Sequence, residues 1–174
     1  LHSGNPAAFA IRAILAATLS PSWGVYSGFE LFEHEPLAPD REEYLNSEKY
    51  EYRPRDFLAE PNLNLLIGKL NHIRRQHPAL QQLRQLTFHD TSNERIIAYS
   101  KRDGDDVILT VCSLNPDATE EGTVYLDVRA LDVPYDAPFA VEDRLTGNYW
   151  HWHRETFVRL TPENPAHILN VTAS

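Results

Sequence analysis

Apolar and polar positions change their spacing once along this chain, near residue 86. Before it, residues 7–19 (AAFAIRAILAATL) are almost continuously apolar, with Arg12 as the only charge. That composition predicts a helix buried around most of its circumference. Asn5 is placed to cap it, and Pro6 suits a first turn where a missing N–H costs nothing. Ser20-Pro21 stops it. Residues 22–27 (SWGVYS), bounded by Pro21 and Gly28, predict a short buried strand. Residues 33–62 are polar, with Pro36, Pro39, Pro54 and Pro61, and predict a long loop. Tyr44, Tyr50, Tyr52 and Phe57 make that loop too aromatic for plain disorder. Residues 62–76 (NLNLLIGKLNHIRRQ) return to helical spacing through Leu63, Leu66, Ile67, Leu70 and Ile73. Asn62 is the expected N-cap, Arg74, Arg75 and His77 suit the negative end of the dipole, and Pro78 ends the helix.

After residue 86 the runs shorten. Eight strands are predicted, at 86–90, 95–101, 106–114, 122–128, 138–144, 148–152, 156–161 and 166–171. Ser92-Asn93, Asp103-Gly104, Asn115-Pro116, Thr146-Gly147 and Pro162 supply the turns, and no helix is expected among the strands. Short, closely spaced strands predict an antiparallel sandwich. A lone apolar strand directly after a buried helix, as in the first part, is instead the pattern of an α/β fold. The chain thus reads as α+β, with residues 1–85 and 86–174 as its two parts.

Composition narrows the function. Of 174 residues, 42% are apolar and 24% charged, which is ordinary for a soluble globular protein. No apolar stretch approaches the roughly 20 residues of a membrane span, so no membrane partner is expected. Cys112 is the one cysteine, which excludes an internal disulfide framework and a Cys-rich metal site. In the run VILTVCSL it reads as a small buried hydrophobe. The net charge is −9, and the part after residue 85 carries −8 of it. Without a Lys/Arg block, nucleic acid is not an expected partner. There is no methionine, even at position 1, so the chain is expected to be an internal or C-terminal piece of a longer protein.

Common catalytic signatures are absent: no GxGxxG, no Walker A loop, no HExxH and no GxSxG. His151 and His153 would share a strand face, but no Cys, Asp or Glu completes a metal set beside them, so no metal is expected. Glu30, Glu33 and Glu35 cluster after the predicted short strand. A retaining glycosidase-type mechanism needs two carboxylates about 5 Å apart, yet these three read as solvated loop acids. Ser47-Glu48-Lys49-Tyr50 lies inside the long loop. Lys brings a mobile charge for hydroxyls or phosphate and Tyr a flat face with a hydroxyl tip, which is suitable chemistry for holding a sugar. Tyr149, Trp150 and Trp152 could also stack on sugars. Alternation puts Trp150 and Trp152 on one face and Tyr149 on the other, which favours core or inter-domain packing over a single platform.

The order of these pieces carries a resemblance. SPSWGVYSGFEL (20–31) resembles the eighth barrel strand and following turn of the α-amylase superfamily. LNHIRRQHPAL (70–80) resembles its last barrel helix, and VEDRLTGNYWHW (141–152) with FVRLTP (157–162) its C-terminal β-sandwich. AIRAILAATLSPSWGVYSGFELFE (10–33), EEYLNSEKYEYRPRDF (42–57), IRRQHPALQQLRQLTFH (73–89) and IIAYSKR (96–102) are most similar to the maltosyltransferases that extend α-1,4-glucans from α-maltose 1-phosphate.

The resemblance implies that residues 1–85 are the end of a catalytic (β/α)8 barrel, its last strand and flanking helices, and 86–174 the C-terminal β-sandwich. It implies a retaining transfer: an Asp nucleophile forms a maltosyl ester as phosphate leaves, a Glu acts as general acid, and a third Asp stabilises the transition state. None of the three matches a position here, so no catalytic residue is assigned and all are expected before Leu1. Lys49 and Tyr50 match the family segment that contacts the donor sugar. The implied partners are α-maltose 1-phosphate and α-1,4-glucan, with no cofactor. The implied setting is the bacterial cytoplasm, a homodimer is allowed, and the chain alone is expected to be inactive. Two other readings stay open: another superfamily hydrolase or a trehalose-linked isomerase, and a carbohydrate-binding β-sandwich.

Overall fold

A computed structural model describes residues 1, 3–39, 41, 43–45 and 52–172. Helix α1 spans Pro6–Leu19, with the Asn5 side chain accepting from the Ala7 N–H at 2.9 Å and Pro6 in its first turn, as expected. Its Phe9, Ile14 and Ala17 are fully buried. Helix α2 spans Asn64–Gln76. Leu63 occupies the cap position, one residue later than expected, while the Asn62 side chain still accepts from the Asn64 N–H at 3.0 Å.

Two cations close the C-terminal end of α1, where carbonyls lack partners and the dipole is negative. The Arg74 guanidinium donates to the carbonyls of Ala17, Ser20 and Pro21, and also to Leu80. The buried Lys101 ammonium donates to the Leu19 carbonyl at 3.2 Å. These bonds tie α1, α2 and the sheet together.

All eight predicted strands form: β1 Leu86–Thr91, β2 Ile96–Asp103, β3 Asp106–Ser113, β4 Glu120–Tyr125, β5 Phe139–Asp143, β6 Tyr149–Trp152, β7 Glu155–Leu160 and β8 Ala166–Thr172. They make one antiparallel sheet in the order β6-β5-β8-β3-β2-β1-β4-β7. Strand β1 changes partner along its length. Leu86 to His89 pair with β2, whereas Asp90 and Thr91 pair with β4. The two outermost strands, β6 and β7, are joined by only His153 and Arg154, so the sheet curls back on itself into a near-barrel.

Alternation assigns the faces. Ala98, Leu109, Val111, Val124, Val141, Trp152, Val158, Leu160 and Leu169 fill the interior of the curl. Ile108, Cys112, Ala166 and Ile168 point outward, where Ile11, Ile14, Leu70, Ile73 and Leu80 cover them. Strand β3 is therefore buried on both faces.

The structure corrects the expected fold class. Residues 22–27 form no strand, and Val25 and Tyr26 are 38% and 49% exposed. A strand exists only where a neighbour completes its ladder, and among the described residues none pairs with this segment. Both helices pack on the outside of the antiparallel sheet rather than against a parallel strand, so the described residues form no end of a (β/α)8 barrel. The β part is one curled sheet whose limbs meet across a shared core, instead of a free-standing sandwich. It also contains a short helix, α3 (Val128–Leu131), capped by the Asp127 carboxylate, where only strands were expected.

Candidate functional site

The loop that carries the predicted sugar-holding residues rises from the turn after residue 27. Gly28 opens that turn at φ 99°, and a Cβ there would fall 2.2 Å from Glu33 Oε2. Only glycine accepts both the conformation and the contact. The Glu33 N–H donates to the Gly28 carbonyl at 2.9 Å. Phe29 and Phe32 then pack on Phe9 of α1 at ring-centroid distances of 5.0 and 5.3 Å.

Glu33 is not the solvated loop acid expected. Arg55 donates to it through Nε at 2.9 Å and Nη2 at 3.1 Å, a bidentate fork on both carboxylate oxygens. Arg53 Nη2 approaches Oε1 at 3.4 Å. The Arg55 side chain is 3% exposed and that of Glu33 17%. The Glu30 carboxylate accepts from the Gly28 N–H instead, and the Glu30 carbonyl accepts from Leu63. The three acids therefore do not assemble a catalytic pair.

The same turn holds the loop's other end. Leu37 N–H donates to Glu43 at 2.7 Å and Leu45 N–H to Glu35 at 2.8 Å, around a bridge between Pro36 and Tyr44. Arg53 Nη1 donates across the neck to the Leu45 carbonyl at 3.3 Å. The Tyr44 ring lies 6.1 Å from Tyr26. Burial pushes the Tyr44 hydroxyl's pKa up, with Arg12 opposing and Glu33 adding to the rise. Lys49 and Tyr50 lie outside the described residues. Arg53 and Arg55 were not singled out from sequence. The Arg-Pro-Arg run was visible, but its pairing with an acid some twenty residues earlier was not.

The other motifs prove structural. In VEDRLTGNYWHW, Asp143 is fully buried and organises the β5–β6 turn. It accepts from the Leu145 and Ile168 N–H groups at 3.0 and 3.3 Å, Thr146 Oγ1 at 2.9 Å and His167 Nδ1 at 3.0 Å. Gly147 completes the turn at φ 80°. Trp152 is in the core, Trp150 packs edge-on to His167 at 5.4 Å, and Tyr149 is 70% exposed, so the three aromatics offer no common platform. His151 and His153 are exposed, and among the described residues no three His, Cys, Asp or Glu side chains gather as a metal site. Cys112 is buried, and burial pushes its thiol up to about 12. Among the described residues no helix is long and apolar enough to cross a membrane.

Comparison with known proteins agrees with the resemblance seen in sequence. The family described as "GLGE, C-terminal" matches residues 88–171. An α-1,4-glucan:maltose-1-phosphate maltosyltransferase of Streptomyces coelicolor is 50% identical over 98% of this chain. Those of Corynebacterium glutamicum and Mycobacterium tuberculosis are 52% and 47% identical over 97% and 99% of it. The chain spans about a quarter (26%) of the length of each. In fold it is similar to an AmyP variant solved with maltotriose, at TM-score 0.68 and 17% identity over 95% of this chain and 34% of that one. It is also similar to the α-amylase of Geobacillus thermoleovorans complexed with acarbose, at TM-score 0.63 and 14% identity over 98% and 34%. With near-complete coverage of the chain at about half identity, this sequence belongs to the α-1,4-glucan:maltose-1-phosphate maltosyltransferase family.

Proposed function

We propose that this chain is part of an enzyme that moves maltosyl units from α-maltose 1-phosphate to the non-reducing end of an α-1,4-glucan, with retention and release of phosphate. The observation that carries this reading is the 50% identity to a named maltosyltransferase across 98% of the chain. In the proposed reaction an Asp carboxylate attacks C1 of the donor while the C1–O bond to phosphate breaks, giving a maltosyl ester. The 4-hydroxyl of the glucan then attacks C1, a Glu carboxylate takes its proton, and the Asp leaves. Two inversions give retention. Those carboxylates belong to the remainder of the longer protein. This chain contributes binding: Lys49 and Tyr50 hold hydroxyls of the donor sugar. The chain by itself is inactive, and the whole enzyme works as a soluble, cytoplasmic homodimer.

The test is phosphate release by the full-length protein supplied with α-maltose 1-phosphate and a glucan acceptor. Glucan lengthening by two glucose units per phosphate is the expected result. Water-dependent release of maltose or glucose without chain growth would instead assign a hydrolase.

A further inference from the structure

We propose that the outer face of strands β1, β4 and β7 is a glucan-binding surface, on which an exposed stripe of Phe88, Tyr125 and Phe157 holds the α-1,4-glucan chain. The inference rests on the proposed reaction only for the identity of that chain.

The register of the sheet builds the stripe. Asp90 pairs with Tyr125 and Tyr125 with Glu155, so these three lie in one row across three strands. Phe88 stands two residues before Asp90, and Phe157 two residues after Glu155, both on the face that Tyr125 occupies. The antiparallel ladders put Phe88 on one diagonal of Tyr125 and Phe157 on the opposite one. Each diagonal step is about 7–8 Å, so the stripe suits an extended ligand rather than a single small molecule. All three rings are exposed, whereas Val124 and Val158 turn into the core. Helices α1 and α2 cover the outer face at β3 and β8 instead.

The groups beside the stripe select a sugar. Phe88, Asp90, Tyr125, Asp127, Arg154 and Glu155 share a cleft of about 280 Å³. That is below the roughly 300–1,000 Å³ of a pocket enclosing a whole small ligand, and suits a grip on part of a chain. A glucose ring offers an apolar face to the aromatics and hydroxyl donors at its rim. Acceptors wait on both sides of Tyr125. Among the described residues the Asp90 carboxylate takes no hydrogen bond or ion pair, and Arg154 occupies only Oε1 of Glu155, at 3.1 Å. An apolar protein surface closing here would bury those carboxylates unpaired, which is costly. They would also repel a nucleic-acid phosphate. The floor is set in advance: buried His89 accepts from the Asp127 N–H at 3.2 Å and donates to Ser100 Oγ at 2.9 Å, which ties β1 to the chain leaving β4. The Phe88 ring rests 5.9 Å from buried Tyr99. Such preorganisation reduces the ordering cost of binding.

The test is electrophoresis of the full-length protein through native gels containing glycogen, beside steady-state kinetics. Tyr125→Ala and Phe157→Ala should each raise the glycogen Kd about tenfold, and the pair should abolish retardation. Asp90→Asn and Glu155→Gln, which keep the shape, should raise it about threefold. The glycogen KM should rise in parallel, with donor KM, kcat and thermal midpoint near wild type. Folded variants that bind and use glycogen as wild type does would overturn the inference and leave the proposed reaction standing. Retardation by polylysine and not by glycogen, lost in the same variants, would assign a cationic partner and also overturn it. Binding is read without donor, so glycogen retardation that depends on Tyr125 and Phe157 in a protein releasing no phosphate would uphold the surface while the proposed reaction fails.

Discussion

Replacing Asp143 tests how the β5–β6 turn is held. Its carboxylate is removed from water and accepts four hydrogen bonds, two from backbone N–H groups and two from side chains. Asp143→Ala strands the Ile168 N–H inside strand β8, while the Leu145, Thr146 and His167 donors are close enough to solvent to find water. One buried donor left unsatisfied, plus the loss of charge-assisted bonds, amounts to about 3–4 kcal/mol. Asp143→Asn keeps one carbonyl oxygen for the two backbone donors. Its amide then faces Thr146, whose hydroxyl can turn to accept, so the loss should be only about 1–2 kcal/mol. Urea titration monitored by tryptophan fluorescence reads this directly, since Trp150 and Trp152 adjoin the turn. The dependence on pH has a definite sign. Burial alone would push the Asp143 carboxyl up, but the bonds from His167, Leu145 and Thr146 outweigh it and hold the pKa below its ordinary value. A carboxyl whose folded pKa is depressed contributes stability above its unfolded value of about 3.9 and loses it as pH falls through the folded value. The gap between wild type and Asp143→Ala should therefore be steady from neutral pH to about 5 and close below about 4. A loss under about 1 kcal/mol, or a gap that does not narrow in acid, would refute the reasoning.

Other outcomes follow from the same structure. Gly28→Ala places a methyl at φ 99° and 2.2 Å from Glu33 Oε2, so it should cost about 1–3 kcal/mol by thermal denaturation. Lys101 is buried with its ammonium on a carbonyl, and desolvation, then Arg74, hold its pKa below the usual lysine value. The unfolded chain binds that proton more readily, so the burial penalty present at neutral pH is relieved as pH rises through the folded value. Lys101→Met should thus compare best with wild type near pH 7 and lose ground toward about pH 10. Cys112, with its thiol pushed up to about 12, should resist iodoacetamide until the chain unfolds, and fast labelling in native buffer would contradict its placement.

The strands were legible because most alternate, and even β3, apolar on both faces, could be read from its length and its bounding turns. What the sequence withheld was partnership. SWGVYS has strand-like residues, but a strand needs a neighbour, and none of the described residues pairs with it. The exchange of partners within β1 depends on how far the sheet curls, which no local pattern records. Helix α3 is a single turn nucleated by one Asp, too short for periodicity to register. The Asp143 motif was visible as a string of residues, whereas its buried carboxylate depends on Ile168 and His167 from a strand far along the chain. In the candidate site, Lys49 and Tyr50 lie outside the described residues, and only their residue type was legible. The grip of Glu33 on Arg53 and Arg55 was not, because those acids and bases look like ordinary surface charges until the turn at Gly28 brings them together.

Strand β3 has one more consequence. Its inner residues belong to the curled sheet and its outer residues to the helices, so a single ladder serves two cores. Cutting the chain near residue 86, where the hydrophobic pattern changes, would bare Ile108, Cys112 and Ile168 at the centre of the sheet. The resulting sheet would be sticky on one side and prone to self-association. In packing terms, α1, α2 and the strands form one block. A recombination event that moved the strands without the helices would deliver an aggregating protein, however faithfully the strands themselves were copied.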